Sequence, residues 1–180
     1  WETIGELANG ISNAEVDPSC HCLVITGDGD HFVAGRDLGE ANSDANLNET
    51  LANDEAYTRI FTALRSMSKP SVSVVRGYAV AGGFTLAMGC DFVLADRTAK
   101  FGALEMRGGF PAAVNTAILG QLAGPRQSLE LLLSADMFDA EHLFRIGLIN
   151  KIFDNSDELE VGAKLFAGKL AALDPTAVKM

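Results

Sequence analysis

Short apolar runs and polar turns alternate along the chain, and one arrangement of them occurs three times. In each case an apolar run, a polar turn and a second apolar run follow one another. The paired runs are 23–25 with 32–34, 72–75 with 78–80, and 92–95 with 101–104. Short β-branched or aromatic runs bounded by turn residues predict buried strands. A further apolar run predicts a last strand over 148–153.

Other segments carry apolar residues at three- and four-residue spacing, which predicts amphipathic helices. This spacing predicts helices over 1–11 and 54–67. Further helices are predicted over 84–90, 112–122, 125–133, 140–146 and 156–173. Asp139 and Asn155 stand where N-caps of the last two helices are needed. Segment 40–53 is rich in Asn, Asp and Ala and poor in core residues, which indicates a loop or a frayed helix start. The whole pattern predicts an α/β fold of ββα units.

One predicted strand runs through a glycine pair into a helix. The run 78–80 is followed by Ala81, Gly82 and Gly83, and then by a segment of good helix formers. Glycine lets a backbone come close to a ligand, and the N–H groups of a first helical turn favour a negatively charged oxygen. From this stretch alone, however, glycine used for tight packing is the favoured explanation.

The second run of each pair ends at a glycine or at a loop. These ends are Gly35, Gly82 and Glu105. Stacked ββα units would leave such ends on one side of the molecule, so the pattern predicts that the three converge.

Length, composition and charge narrow the functional classes. The 180 residues are 48% hydrophobic and 21% charged, which fits a single domain over 1–180. A net charge of -10 argues against nucleic acid as a partner. No apolar run is long enough for a membrane span, and no signal peptide is visible. Three cysteines do not make a disulfide framework, so a reduced, cytoplasmic setting is expected.

An ordered set of motifs resembles the crotonase superfamily, the enoyl-CoA hydratase/isomerase enzymes. The motifs are 23–27 with 32–38, then 69–91, then 101–105, and finally 129–133, 138–141 and 146–151. The resemblance covers nearly the whole chain. It implies a crotonase-like spiral of ββα units with flanking helices. Compared with the longer members of the family, the chain is expected to be truncated at both ends. It would lack an N-terminal strand and hairpin at one end and the C-terminal helices at the other.

The resemblance also implies the substrate and the partners. The substrate is an acyl-CoA thioester, coenzyme A being part of the substrate, with no separate cofactor and no metal. The full-length assembly is a homotrimer or a dimer of trimers. Candidates for contacting the CoA phosphates are Lys69, Arg76, Arg97 and Lys100, although a solvated surface charge is the simpler explanation of each.

By the same resemblance, the backbone N–H groups of Arg36 and Gly82 form an oxyanion hole for the thioester oxygen. Two such donors stabilise an enolate more than the ground state, and one can contribute about 3–4 kcal/mol. Glu105 is the expected acid/base. The neighbouring residues expected to bind substrate are Ala34, Gly35, Asp37, Ala81, Gly83, Thr85 and Phe110.

Thr85 is a departure from the two-carboxylate hydratases, which carry a glutamate at that position. Moving a double bond needs one base, whereas hydration uses two groups that hold a water. A single glutamate therefore favours isomerisation, or hydration with a substitute group. Glu105 also has a plainer explanation, either a surface glutamate or an ion pair, with Arg107 as the nearest candidate. The alternative function is a catalytically weak acyl-CoA-binding or assembly protein.

Overall fold

Two small sheets form the framework of the chain, and the computed structural model describes residues 2–35 and 47–178. The first sheet is parallel and consists of β1 (Leu23–Thr26), β2 (Ser71–Val75), β4 (Phe92–Asp96) and β7 (Lys151–Phe153), in that order. The second consists of β3 (Tyr78–Val80), β5 (Lys100–Gly102) and β6 (Phe138–Asp139). Here β3 and β5 are parallel, and β6 runs antiparallel to β5.

The paired runs of the sequence divide between the two sheets. The first run of each pair becomes β1, β2 or β4, and the second run joins the other sheet as β3, β5 or a single bridge. That bridge joins Val33 to Ala79, so the strand predicted over 32–34 is reduced to one paired residue. The predicted ββ arrangement is confirmed, with a minimal second strand in the first unit.

Eight α-helices surround the sheets in the described part of the chain. They are α1 (Glu2–Val16), α2 (Leu47–Ser66), α3 (Gly82–Gly89), α4 (Ala113–Leu122), α5 (Gly124–Leu133), α6 (Ala140–Arg145), α7 (Ser156–Ala171) and α8 (Pro175–Val178). A short 3-10 helix covers Glu105–Gly108. As predicted, the side chains of Asp139 and Asn155 cap α6 and α7 by accepting from the N–H groups of His142 and Glu158.

Several predicted boundaries are wrong. Helix α2 begins at Leu47 and not at 54, so of the two alternatives for segment 40–53 a helix start is the one found over 47–53, and residues 40–46 lie outside the described residues. No proline or glycine interrupts 47–53, and Asn and Asp cost a helix only a few tenths of a kcal/mol each. The last strand is shorter than predicted, because only residues 151–153 pair with β4, while the Leu148 N–H donates to the Leu143 carbonyl of α6.

Helix α3 is the most buried helix of the fold. It packs against β2, β3, β4, α2 and α4, and Phe84, Ala87 and Met88 are almost fully buried. All five residues of β2 are buried, as expected for a central strand covered on both faces. The N-terminus of α3, where the glycine pair lies, is thus fixed by a rigid core.

Candidate active site

Two of the three predicted ends lie side by side. A Cβ built on Gly35 would lie 3.0 Å from the Ala81 Cβ and 3.5 Å from the Gly82 nitrogen. Gly35 has φ +85°, a conformation that favours glycine. The Val33–Ala79 bridge brings the two segments together. Ala34 is exposed beside them, and Arg36 and Asp37 lie outside the described residues.

Ala81 enters α3 through a strained backbone, with φ 49° and ψ -119°. Such a conformation costs a non-glycine residue about 1–3 kcal/mol. Hydrogen bonds hold it in place: the Ala81 N–H donates to the Gly102 carbonyl at 2.8 Å, and the Ala81 carbonyl accepts from the Thr85 N–H at 3.1 Å. At this turn none of the described residues accepts a hydrogen bond from the Gly82 N–H. That donor stands at the positive end of α3, where an oxyanion would be favoured.

Thr85 is part of this turn. Its side chain is buried, and its hydroxyl donates to the Ala81 carbonyl oxygen at 3.2 Å. A threonine held in this way braces the backbone and supplies no acid at neutral pH. The structure thus shows Thr85 bonded to the backbone of the glycine turn, and its contact with substrate stays a prediction.

Tyr57, on α2, is a site residue that the sequence does not single out. Its hydroxyl donates to the Gly82 carbonyl at 3.3 Å. Burial raises the pKa of Tyr57 to about 12, with the neighbouring Thr85 hydroxyl opposing this rise and the Glu105 charge adding to it. The third predicted end, Glu105, follows Gly102, whose carbonyl accepts from the Ala81 N–H of the same turn. The available signal was a tyrosine on the apolar face of a helix, since a buried hydroxyl needs a partner.

Glu105 follows β5 and is held by Asn115. The Asn115 side-chain amide donates to Glu105 Oε1 at 2.9 Å, and Asn115, near the start of α4, is only 1% exposed. Glu105 Oε2 is buried, and no described residue donates to it. The alternative ion pair with Arg107 is wrong, because Arg107 lies 3.5 Å from Asp136 instead. Glu105 therefore presents one fixed and one unpaired carboxylate oxygen.

Gly83 and Phe110, both predicted to bind substrate, contact other parts of the chain in the structure. Gly83 is buried, and a Cβ there would overlap the Val33 carbonyl oxygen and lie 2.7 Å from the carbonyl carbon. Phe110 is 56% exposed and lies against Gly108, while its N–H donates to the Glu105 carbonyl. The structure thus shows Gly83 packed against the Val33 backbone, and the substrate contacts of both Gly83 and Phe110 stay predictions.

Three of the four basic residues considered for the CoA phosphates serve the fold. Lys69 Nζ lies 2.6 Å from the carbonyl oxygens of Ala14 and Asp17, beside the end of α1. Arg76 donates to the carbonyls of Gly27 and Gly29. Arg97 pairs with Asp154 and Glu141. These contacts leave Lys100 as the remaining candidate of the four.

Burial of Tyr57 predicts a loss of stability at high pH. Below pH 10, the ordinary pKa of tyrosine, the hydroxyl is protonated in both the folded and the unfolded chain. Its full contribution to the free energy of unfolding is then present. Above that, the unfolded chain ionises first, so the free energy of unfolding falls by up to about 1.4 kcal/mol per pH unit until the folded group ionises near pH 12.

We expect Tyr57→Phe to reduce this fall, measured by urea unfolding at pH 9, 10 and 11. Tyr78→Phe is the control, since Tyr78 is 47% exposed. Equal slopes for Tyr57→Phe and the unmodified chain would contradict the assignment.

The Enoyl-CoA hydratase/isomerase family profile matches residues 1–180. A crotonyl-CoA hydratase from Syntrophomonas wolfei is 36% identical over 183 residues, which cover 99% of this chain and 69% of that one. A short-chain-enoyl-CoA hydratase from Clostridium acetobutylicum is 33% identical, with 99% and 69% covered. A solved structure of Pseudomonas aeruginosa DspI superposes with a TM-score of 0.91 at 30% identity, covering 99% of this chain and 68% of that one. An enoyl-CoA hydratase from Polaromonas gives 0.89 at 28%, with 98% and 69% covered.

The chain belongs to the enoyl-CoA hydratase/isomerase family, and the predicted crotonase fold is confirmed. The comparisons give no support to the preference for isomerisation, since the similar curated proteins named above are hydratases.

No helix in the described ranges is both long and apolar enough to cross a membrane. The single-domain organisation, the trimeric assembly, the cytoplasmic location and the roles of the individual site residues stay predictions.

Proposed function

We propose that the chain hydrates a 2-enoyl-CoA thioester, with Glu105 as both base and acid and the Gly82 N–H as one oxyanion donor. The observation that carries this is the Glu105 carboxylate, fixed on Oε1 by Asn115 and unpaired on the buried Oε2. Val80 pairs with Gly102 and the Ala81 N–H donates to the Gly102 carbonyl, so the strand end that leads to Glu105 lies beside the glycine turn that carries the Gly82 donor. Arg36, which the resemblance makes the second donor, lies outside the described residues.

The reaction follows from these positions. Glu105 Oε2 takes a proton from water while the water oxygen bonds to the β carbon. The electrons of the double bond move toward the thioester oxygen, where the Gly82 N–H stabilises the enolate. The α carbon then takes the proton from Glu105, which restores the carboxylate. One carboxylate thus completes the addition of water without a redox step.

Isomerisation is the second candidate, and the state of Thr85 favours it. Since the Thr85 hydroxyl donates to the Ala81 carbonyl, it is not available as a second acid on helix α3. One base that takes a proton at one carbon and returns it at another would suffice for isomerisation. Hydration ranks first because relatives such as 2,3-dehydroadipyl-CoA hydratase from Escherichia coli, 32% identical, carry hydratase names.

Isotopic labelling separates these functions. The protein is incubated in ¹⁸O-water with a 2-enoyl-CoA and, separately, with a 3-enoyl-CoA. The products are separated by chromatography against standards of the two enoyl isomers and identified by mass spectrometry. We expect a 3-hydroxyacyl-CoA labelled at its hydroxyl from the 2-enoyl substrate. Conversion of the 3-enoyl substrate without any hydroxylated product would establish isomerisation instead. Binding of CoA without turnover of either substrate would favour the binding or assembly protein.

A further inference from the structure

The side chains of Glu105 and Asn115, which are joined by a hydrogen bond, each carry one buried acceptor oxygen without a partner. One is Glu105 Oε2 and the other is Asn115 Oδ1, and neither has a donor among the described residues. The bond itself, Asn115 Nδ2 to Glu105 Oε1, is 2.9 Å long. Both unpaired oxygens are thus anchored to the same rigid contact between the 3-10 helix and α4.

Buried acceptors without donors are rare in folded proteins because they lose their hydrogen bonds to water. With Glu105 ionised, the two oxygens cannot satisfy each other, since neither carries a hydrogen. A water molecule has two O–H donors and can satisfy one acceptor with each. The chemistry of the pair therefore fits a single water held between a carboxylate and an amide.

A purely structural role explains Asn115 poorly. The neighbouring buried position on α4, four residues further on, is Leu119, and an apolar side chain at 115 would avoid burying an amide. A structural asparagine would also be expected to have its carbonyl oxygen paired. Instead the side chain uses its N–H on the proposed base and leaves its oxygen unpaired.

We propose that Asn115 and Glu105 together hold the water that adds to the substrate. Asn115 Nδ2 fixes the carboxylate, Glu105 Oε2 removes one hydrogen of the water, and Asn115 Oδ1 accepts the other. Asn115 thereby takes the water-holding part of a second carboxylate, which Thr85 on α3 does not supply. Because this role presupposes hydration, it rests on the proposed function.

Two variants test this role in the hydration assay with a 2-enoyl-CoA. Asn115→Ala is expected to lower kcat about 10²-fold and to change KM by less than about threefold, because the water and not the thioester loses its contact. Asn115→Asp places a second carboxylate beside Glu105. The two groups then share a proton, which moves the acid limb of the kcat/KM profile to higher pH by about one unit or more.

Ser128→Ala is the matched control, a buried polar side chain on α5 with its hydroxyl 2.7 Å from the carbonyls of Leu119 and Gly124. It should lower Tm without changing kcat. Hydration by Asn115→Ala within twofold of the unmodified chain would overturn the proposal, as would an unmoved acid limb in Asn115→Asp. If Asn115→Ala does not fold, the pH profile of Asn115→Asp alone tests the proposal. Full activity of Glu105→Gln would instead refute the proposed base itself.

Discussion

Glu105→Gln is expected to lower kcat for hydration of a 2-enoyl-CoA by about 10³-fold, equivalent to about 4 kcal/mol of transition-state stabilisation. Glutamine keeps the size and shape of the side chain, and its carbonyl oxygen can still accept from the Asn115 amide. It cannot take a proton from water or return one to the α carbon. KM should change little, because the variant removes proton transfer rather than a contact with the thioester.

Glu130→Gln is the matched control for this experiment. Glu130 is exposed on α5, so the variant removes one negative charge without touching the site. Steady-state rates are measured for both variants from the loss of the enoyl chromophore. If Glu105→Gln keeps more than a tenth of the unmodified kcat, Glu105 is not the base, and another group beside the glycine turn must take the proton.

The elements that sequence predicts well are those whose signal is local. The runs that became β2, β3 and β4 are apolar, β-branched and bounded by turn residues, and the caps at Asp139 and Asn155 act within three residues. The strand over 32–34 was less predictable, because its extent depends on a partner strand 46 residues away in the Val33–Ala79 pair.

Two residues of the site escaped prediction for the same reason. Tyr57 contacts Gly82 across 25 positions, and Asn115 contacts Glu105 across 10. A polar group on an apolar helix face shows that a partner is needed, but the partner is chosen by how the helices pack. The motif residues Gly82 and Glu105 were predictable because the family resemblance supplied the long-range information that the local pattern lacks.

Gly83→Ala is expected to reduce the free energy of unfolding by about 3 kcal/mol or more, measured by urea unfolding at pH 7. The new Cβ would overlap the Val33 carbonyl oxygen and lie 2.7 Å from its carbon. That carbonyl cannot move away easily, because it accepts from the Val80 N–H at 3.0 Å while the Val33 N–H donates to the Tyr78 carbonyl. The gain in helix propensity from glycine to alanine, about 1 kcal/mol, does not offset the overlap.

Gly82→Ala provides the comparison within the same turn. Its Cβ would lie 3.2 Å from the Tyr57 hydroxyl, the far end of a side chain that can shift by a few tenths of an ångström. We therefore expect its free energy of unfolding to stay within about 1 kcal/mol of the unmodified chain. Equal losses in both variants would contradict a packing role specific to Gly83. A larger loss of unfolding free energy in Gly83→Ala would support different roles for the two glycines. Gly83 would let α3 pack on the Val33 backbone, and Gly82 would keep its N–H open beside Tyr57 for the thioester oxygen.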